Sequence, residues 1–146
     1  LLHRAFSVFV YNDKNELLLQ KRALSKYHTP GLWTNTCCSH QRENESNIEA
    51  GKRRLQEEMG FTTELENQFS FIYKAPFSNG LIEHEYDHIL IGYFKGEPNP
   101  NPDEVADWKW MSLDAIENDI HKNPDHYTAW FKILLEKYLE KLRINQ

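Results

Sequence analysis

The sequence predicts one mixed α+β domain in which helices pack against a sheet. Three observations lead to this fold class. Several short segments rich in Val, Ile, Phe and Tyr alternate with turn residues, a pattern typical of strands. Residues 46–60 carry both the start and the stop signals of a helix, and residues 125–142 form a long amphipathic segment. Helices and strands interspersed in this way form layers around one core.

The composition fits a single domain over residues 1–146 and argues against several functional classes. Of the 146 residues, 40% are hydrophobic and 27% are charged, which is enough for one sizeable core. The formal charge of −5 disfavours nucleic-acid binding, and no apolar run approaches the roughly 20 residues of a membrane span. We therefore expect a monomeric, cytoplasmic protein without a nucleic-acid or membrane partner. Because the chain begins at Leu1 rather than Met, we expect it to be truncated at the N-terminus.

The first three predicted strands precede the central helix. Residues 5–11 and 16–21 form two strands, and turn residues 12–15 join them as a hairpin. Residues 22–30 form a polar loop, and residues 32–38 form the third strand. This strand leads through a short loop into the helix.

The central helix is predicted from its capping residues and its apolar stripe. Ser46 and Glu49 form a capping box, and Gly60 supplies the stop signal. Arg54 and Glu58 are four residues apart beside the stripe, so both side chains can reach toward the surface on which the helix packs. The stripe itself consists of Ile48, Gly51, Leu55 and Met59.

The second half of the chain contains three more strands and two more helices. Ser112 caps a short helix, and the long helix over residues 125–142 follows it. The strands cover residues 69–75, 82–94 and 105–111, with a proline-rich loop over residues 96–103 between the last two.

Cys37 and Cys38 are the only cysteines, and they are adjacent. Neighbouring side chains of a strand point to opposite faces, which argues against a structural disulfide and favours a reducing compartment. We expect Cys37 to be a small buried hydrophobe. Cys38 shares a face with His40, so a thiol and an imidazole can act together there.

Two glutamates occupy one face of a later strand. Glu83 and Glu85 are two residues apart, which separates their backbones by roughly 6.6 Å. Such a pair can coordinate one divalent cation, or one member can act as an acid, or both can simply face solvent. Histidine nitrogens combined with carboxylate oxygens suit a transition metal, which brings His3 and His40 into consideration. The remaining histidines are expected to be structural: His28, His84, His88, His121 and His126.

The segment from Ser39 to Phe61 resembles the Nudix box. That box runs Gly, five residues, Glu, seven residues and then Arg-Glu-apolar-any-Glu-Glu-any-Gly-apolar. This chain matches every spacing with Ser39, Glu45 and the run Arg53-Arg54-Leu55-Gln56-Glu57-Glu58-Met59-Gly60-Phe61. Ser39 replaces the first Gly, and Arg54 replaces the first Glu of the Arg-Glu pair. Nudix hydrolases use that glutamate for metal and water chemistry, so its replacement argues against pyrophosphate hydrolysis.

The chain as a whole resembles the type I isopentenyl-diphosphate isomerases, a branch of the Nudix superfamily. The matching segments span most of the chain, in order and with matching spacing. They are His3-Arg4-Ala5-Phe6, Arg22-Ala23-Leu24-Ser25-Lys26, Pro30-Gly31-Leu32-Trp33-Thr34-Asn35, Cys38-Ser39-His40 and Glu83-His84-Glu85. The resemblance implies a Nudix-type α/β/α sandwich with a mixed sheet. It also implies the interconversion of isopentenyl and dimethylallyl diphosphate in isoprenoid biosynthesis.

The resemblance implies roles for individual residues in that reaction. Cys38 and Glu85 would be the acid and the base, in an order that stays open, and Tyr73 would hydrogen-bond to the glutamate. Trp130 would either place its ring against a carbocation or anchor the core. The substrate is a small-molecule diphosphate, and its implied contacts are Arg22, Lys26 and Arg54. Lys21 is a further candidate, with a solvated strand end as the equal alternative.

The resemblance also implies two divalent cations. Glu58 would meet a Mg²⁺ ion shared with the diphosphate. His3, His40, Glu83 and Glu85 would hold a second ion, which is Zn²⁺, Mn²⁺ or Mg²⁺. The family pattern has one more histidine, seven residues before His3, and that position precedes Leu1. We therefore expect the second site to be weakened in this chain.

Two rival functions follow from the same residues. A Nudix hydrolase of a nucleoside diphosphate derivative would need a carboxylate in place of Arg54 and would have no use for Cys38. A non-catalytic Nudix-like binding module would be favoured if the full gene product also lacked the upstream histidine.

Overall fold

The computed structural model describes residues 3–76 and 82–143, with the backbone alone for residues 73, 75, 76 and 82–84. Within these ranges the chain forms seven strands and three α-helices. None of the three helices is long and apolar enough to span a membrane. The strands are β1 (His3–Tyr11), β2 (Glu16–Arg22), β3 (Trp33–Thr34), β4 (Cys37–Ser39), β5 (Leu65–Pro76), β6 (Ile82–Tyr93) and β7 (Val105–Ser112). The helices are α1 (Asn47–Met59), α2 (Leu113–Lys122) and α3 (Ala129–Leu142), with a 3₁₀ turn at Pro124–His126.

The seven strands form one mixed sheet around β1. β1 pairs in parallel with β6 and antiparallel with β2 and β4. β5 extends the sheet beyond β6, while β3 and β7 both pair with β2. β5 begins at Leu65, four residues earlier than predicted, because Leu65 already has a partner in Gly92 of β6. The predicted mixed sheet is confirmed.

Helices cover both faces of this sheet. Side chains of β1 alternate between the faces, so Phe6 and Val8 point toward α1 while Phe9 points toward α3. All three are fully buried, against Leu55 of α1 on one face and Phe131 of α3 on the other. The result is the predicted α/β/α sandwich.

The central helix has the predicted caps. Ser46 Oγ accepts a bond from Glu49 N at 3.1 Å, and Glu49 Oε1 accepts one from Ser46 N at 3.0 Å. Gly60 ends the helix with a φ of +75°, in the left-handed region. Gly51 allows close packing on the sheet, because a Cβ at that position would lie 2.7 Å from Leu90 Cδ1.

The prediction of one continuous third strand is wrong, because the strand is split into β3 and β4. Asn35 Nδ2 donates to the Val8 carbonyl oxygen at 3.1 Å. Thr36 Oγ1 accepts from Val10 N at 2.9 Å and donates to the Leu18 carbonyl oxygen at 2.7 Å. These side-chain bonds replace the backbone ladder, so the chain crosses from β2 to β1 between the two short strands.

The last helix begins later than the predicted range of residues 125–142. The 3₁₀ turn at Pro124–His126 comes first, and Tyr127 then forms a parallel bridge with Trp33. Thr128 N donates to the Trp33 carbonyl oxygen at 3.0 Å. This pairing with β3 keeps the backbone extended, and α3 follows it.

Candidate active site

A cavity of about 200 Å³ opens at the N-terminal ends of β1 and β6. Its walls come from β1, the end of β2 and the loop after it, β4, β6, and the helices α1 and α3. Seven residues predicted from the sequence line it: Arg22, Lys26, Cys38, His40, Arg54, Glu85 and Trp130. A water molecule occupies about 30 Å³ in the liquid, so the cavity has room for a small organic ligand.

β4 places the two cysteines on opposite faces of the sheet, as predicted. The register pairs Cys37 with Val8 and Cys38 with Ser7. Cys37 is fully buried beneath α1, and burial raises the pKa of its thiol well above the ordinary value, which makes it unreactive. Cys38 is half-buried and faces the cavity. Both remain thiols, and Cys38 is the one placed for chemistry.

Glu85 is a buried carboxylate in the wall of the cavity, only 8% exposed. Its Oε1 lies 2.8 Å from His40 Nε2. Its Oε2 is also buried, and it has no hydrogen-bond partner among the described residues. A buried carboxylate oxygen without a donor is costly. The cavity wall therefore contains a carboxylate oxygen that can accept a proton, a cation or a hydrogen bond from a ligand.

The predicted histidine–glutamate metal site is described only in part. The His3 and His40 rings meet edge to face with centroids 6.5 Å apart, and the register of β1 with β6 pairs His3 with Glu85. The side chains of Glu83 and Tyr73 lie outside the described part of the structure, so their roles stay predictions. Among the described side chains, no three of the His, Cys, Asp and Glu type converge closely enough to hold a metal ion.

Three basic side chains reach the cavity from different elements. Arg22 ends β2, Lys26 lies in the loop that follows, and Arg54 belongs to α1. The Arg22 guanidinium lies 5.6 Å from the centroid of the Trp130 ring, and its Nε donates to the His28 carbonyl oxygen at 3.1 Å. The fold thus brings the predicted cations together, while their contact with diphosphate stays a prediction.

Arg54 and Glu58 form a partly buried ion pair on the inner side of α1, where the helical periodicity predicts them: the Glu58 side chain is 5% exposed and that of Arg54 is 20% exposed. Arg54 Nε and one terminal nitrogen donate to Glu58 Oε2 at 3.0 and 2.7 Å. Gln20 Nε2 donates to Glu58 Oε1 at 2.9 Å. Burial raises the pKa of the Glu58 carboxyl, and Arg54 and Gln20 oppose that rise. Arg54 also donates to Glu57 and Glu104, at 2.8 Å in each case.

Trp130 belongs to the core and also lines the cavity. It is 8% exposed and packs with Phe131 in the cluster on the α3 face of the sheet. Its Nε1 donates to Asn35 Oδ1 at 3.3 Å, which fixes the orientation of the ring. The core role is therefore confirmed, and the role against a carbocation stays a prediction.

The cavity is also lined by polar residues that were not predicted from the sequence as site residues. Ser7 Oγ lies 2.8 and 3.1 Å from the two carboxylate oxygens of Asp87, and both residues are buried. Spacing could have revealed Asp87, because it lies two residues after Glu85 on the same strand face. His28, which is expected from the sequence to be structural, also lines the cavity, and that structural role stays a prediction.

Comparison with known proteins assigns the chain to a family. The NUDIX domain family matches residues 1–131. The Isopentenyl-diphosphate Delta-isomerase 2 of Aromatoleum aromaticum is 48% identical over 144 residues, which cover 99% of this chain and 76% of that protein. The Isopentenyl-diphosphate Delta-isomerase 2 of Photorhabdus laumondii is 54% identical over 135 residues, which cover 92% of this chain and 76% of that protein. This chain belongs to the isopentenyl-diphosphate Delta-isomerase family of the Nudix superfamily.

Solved Nudix structures share the fold of this isomerase-family chain at low sequence identity. The MutT protein from Methanosarcina mazei aligns with a TM-score of 0.77 at 18% identity, covering 96% of this chain and 94% of that one. The NUDIX domain of Shewanella oneidensis NrtR, complexed with ADP ribose, aligns with a TM-score of 0.72 at 18% identity, covering 98% and 90%. These likenesses concern the fold alone, and they confirm the predicted Nudix-type sandwich.

The Nudix box of this isomerase-family chain also carries a structural clamp. Glu45 accepts bonds from Arg53 Nε at 2.7 Å and from an Arg53 terminal nitrogen at 2.9 Å. Arg42 N donates to the same carboxylate at 2.9 Å. The hydrogen bonds from Arg53 and from the Arg42 backbone lower the pKa of Glu45 to about 2. The clamp fixes the loop that leads from Cys38 and His40 into α1.

Proposed function

We propose that this protein converts isopentenyl diphosphate into dimethylallyl diphosphate, the reaction for which its relatives are named. That reaction needs a proton donor and a proton acceptor beside a five-carbon chain, and a cationic site for the diphosphate. One observation carries the proposal: a single cavity is lined by the Cys38 thiol, the buried Glu85 carboxylate and three basic side chains.

The isomerisation moves a double bond by two proton transfers. The electron pair of the C3–C4 double bond forms a C–H bond with a proton from the acid, which leaves a tertiary carbocation at C3. A C2–H bond then breaks, its electron pair forms the C2–C3 double bond, and the base takes the proton. We assign the two transfers to Cys38 and Glu85, because both line the cavity and a thiol and a carboxyl group can each give up or take a proton.

The cavity walls suit a carbocation, which survives only where water is excluded. Ala5 and Trp130, which line the cavity, are each only 8% exposed. In this proposal the face of the Trp130 ring lies against the cation, an interaction worth up to about 2 kcal/mol when desolvated. In this proposal Tyr73 would hydrogen-bond to Glu85 and hold its carboxylate in place.

The diphosphate group binds at Arg22, Lys26 and Arg54 in this proposal. Arg54 already donates to three carboxylates, which offset the charge of the three cations. A ligand with several negative charges therefore needs added positive charge. Glu58 would hold a Mg²⁺ ion there, and that ion would supply charge shared with the diphosphate oxygens.

A second divalent cation, Zn²⁺, Mn²⁺ or Mg²⁺, would be held by His3, His40, Glu83 and Glu85. The donors fit such an ion, because imidazole nitrogens and carboxylate oxygens are its usual ligands. Glu85 Oε2 is a buried acceptor without a partner among the described residues, which also fits. When bound, the ion would offset the negative charge of Glu85.

Product analysis tests the proposal. The protein is incubated with isopentenyl diphosphate and Mg²⁺, and we expect dimethylallyl diphosphate to appear by proton NMR. Nucleoside diphosphate derivatives serve as the rival substrates. Arg54 occupies the position of a hydrolase glutamate and is surrounded by carboxylates, so we expect no hydrolysis of their diphosphate bond, which would release a nucleoside monophosphate. Release of a nucleoside monophosphate without isomerisation would contradict the proposal. A monomeric state and a cytoplasmic location stay predictions.

A further inference from the structure

Glu104 lies between two of the cavity cations. Its Oε1 accepts a bond from Lys26 Nζ at 2.7 Å and from an Arg54 terminal nitrogen at 2.8 Å. Two nitrogens bonded to one oxygen can be no farther apart than the sum of these distances, about 5.5 Å. An ammonium and a guanidinium repel each other at this distance. The Glu104 carboxylate offsets this repulsion, because it is bonded to both of them.

Glu104 supports these cations from outside the cavity. Lys26 and Arg54 line the cavity, whereas Glu104 is not among its described lining residues. An ammonium has three N–H donors, and the bond to Glu104 uses one of them. The two cations can therefore meet an anion in the cavity while they keep their bonds to Glu104.

The loop that carries Glu104 is bonded to both elements that carry the cations. The Glu104 carbonyl oxygen accepts from Ala23 N at 3.0 Å, and Lys26 N donates to the Ala23 carbonyl oxygen at 3.1 Å. At the other end of the loop, Asn101 N donates to the Glu58 carbonyl oxygen at 2.9 Å near the end of α1. The loop thus fixes the position of the lysine-bearing segment relative to α1.

The charge of Glu104 is also secured by its surroundings. Burial acts to raise the pKa of Glu104, but Lys26 and Arg54 more than offset this effect, so the pKa lies below its ordinary value. The carboxylate is therefore ionised at neutral pH. With 23% of its side chain exposed, it is screened by salt less than a surface ion would be.

We propose that Glu104 is a positioning residue, which sets the spacing of Lys26 and Arg54 for the diphosphate group of the substrate. The inference rests on the proposed function and adds a residue to it. Cations that are already held together bind an anion without the cost of bringing two like charges close. Loss of the Glu104 charge should therefore weaken diphosphate binding and spare the proton transfers, which other residues perform.

The test compares E104Q with the wild type in two assays. Glutamine keeps the shape of the side chain and removes its charge. We expect KM for isopentenyl diphosphate to rise roughly tenfold, about 1.4 kcal/mol in binding free energy, with kcat within about twofold. The dissociation constant of inorganic diphosphate with Mg²⁺, measured by calorimetry, should rise by the same factor.

E57Q is the matched control. Glu57 accepts a bond from Arg54 at 2.8 Å, so this variant removes the same charge from the same guanidinium. Its described ion pairs are with Arg53 and Arg54, and its side chain is 40% exposed. We expect KM in E57Q to change by less than about twofold, because exposed ion pairs contribute little.

Several outcomes would overturn the inference. Unchanged KM and diphosphate affinity in E104Q, even with a lower melting temperature, would mean that Glu104 has a structural role alone. A lower KM would mean that Glu104 competes with the diphosphate for the cations. An equal rise of KM in E57Q would mean that the rise in E104Q comes from the change in net charge near Arg54 and not from the position of Glu104. If the wild type shows no isomerase activity, the proposed function is refuted instead. The inference about Glu104 is then decided by comparing the dissociation constants of inorganic diphosphate for the wild type and E104Q.

Discussion

Replacing Arg54 with methionine should destabilise the fold strongly. Arg54 makes two bonds to the carboxylate of Glu58, which is 4% exposed. Methionine has a similar reach and no charge, so Glu58 would stay buried with Gln20 as its remaining donor among the described residues. Leaving a buried charge without its partner costs about 3–5 kcal/mol in the free energy of unfolding.

Urea unfolding followed by circular dichroism measures this loss. A chelator in the buffer prevents a metal ion from replacing the missing charge. Lys52→Met is the control on the same helix, because its partner Glu64 is 94% exposed and such pairs contribute about 0–1 kcal/mol. A double variant with Glu58→Met as well removes the stranded charge, so it should be more stable than Arg54→Met alone.

The reasoning would be refuted by two results together. In the first, Arg54→Met would lose no more stability than the Lys52→Met control. In the second, the double variant with Glu58→Met would show no recovery. The ion pair would then be as solvated as a surface pair.

Two further predictions concern catalysis and acid stability. Cys38→Ala should lower kcat by at least about 100-fold with little change in melting temperature. Cys37→Ala should instead lower the melting temperature and leave kcat within about threefold, as steady-state assays and thermal unfolding will show. The clamp from Arg53 depresses the pKa of Glu45 from 4.5 to about 2, so its stabilising effect is present above pH 4.5 and is lost as the pH falls toward 2. The stability difference between the wild type and Glu45→Gln, measured by urea unfolding, should therefore shrink over that range.

Each of these predictions has an outcome that contradicts it. Equal losses of kcat in Cys37→Ala and Cys38→Ala would remove the special role of Cys38. For the acid experiment, Glu43→Gln changes an exposed glutamate of the same loop and serves as the control. A difference between the wild type and Glu45→Gln that stays constant from pH 4.5 to 2 would exclude the clamp as its source.

The parts of the fold that depend on local signals could be predicted from the sequence. The capping box of Ser46 with Glu49 and the stop at Gly60 involve residues close in the chain, and both are confirmed. The opposite placement of Cys37 and Cys38 follows from the two-residue period of any strand. The inward direction of Arg54 follows in the same way from the helical period.

The features that were missed depend on contacts between distant segments. The break between β3 and β4 arises because Asn35 and Thr36 bond to the backbones of β1 and β2, and nothing local indicates those partners. Glu104 lies 78 residues from Lys26 and 50 from Arg54. The contacts of Glu104 with Lys26 and Arg54 depend on how the loop before β7 is bonded to the rest of the fold. The periodicity of the sequence does not indicate these bonds.

Proton exchange in heavy water tests the central claim most directly. The protein is incubated with isopentenyl diphosphate and Mg²⁺ in D₂O, and the product is examined by NMR. If an exchangeable acid in the cavity protonates the double bond, dimethylallyl diphosphate should carry one deuterium in the methyl group formed from C4. Cys38→Ala should abolish this labelling, while Cys37→Ala should retain it. Product formed without deuterium at that carbon, or no product at all, would contradict the account.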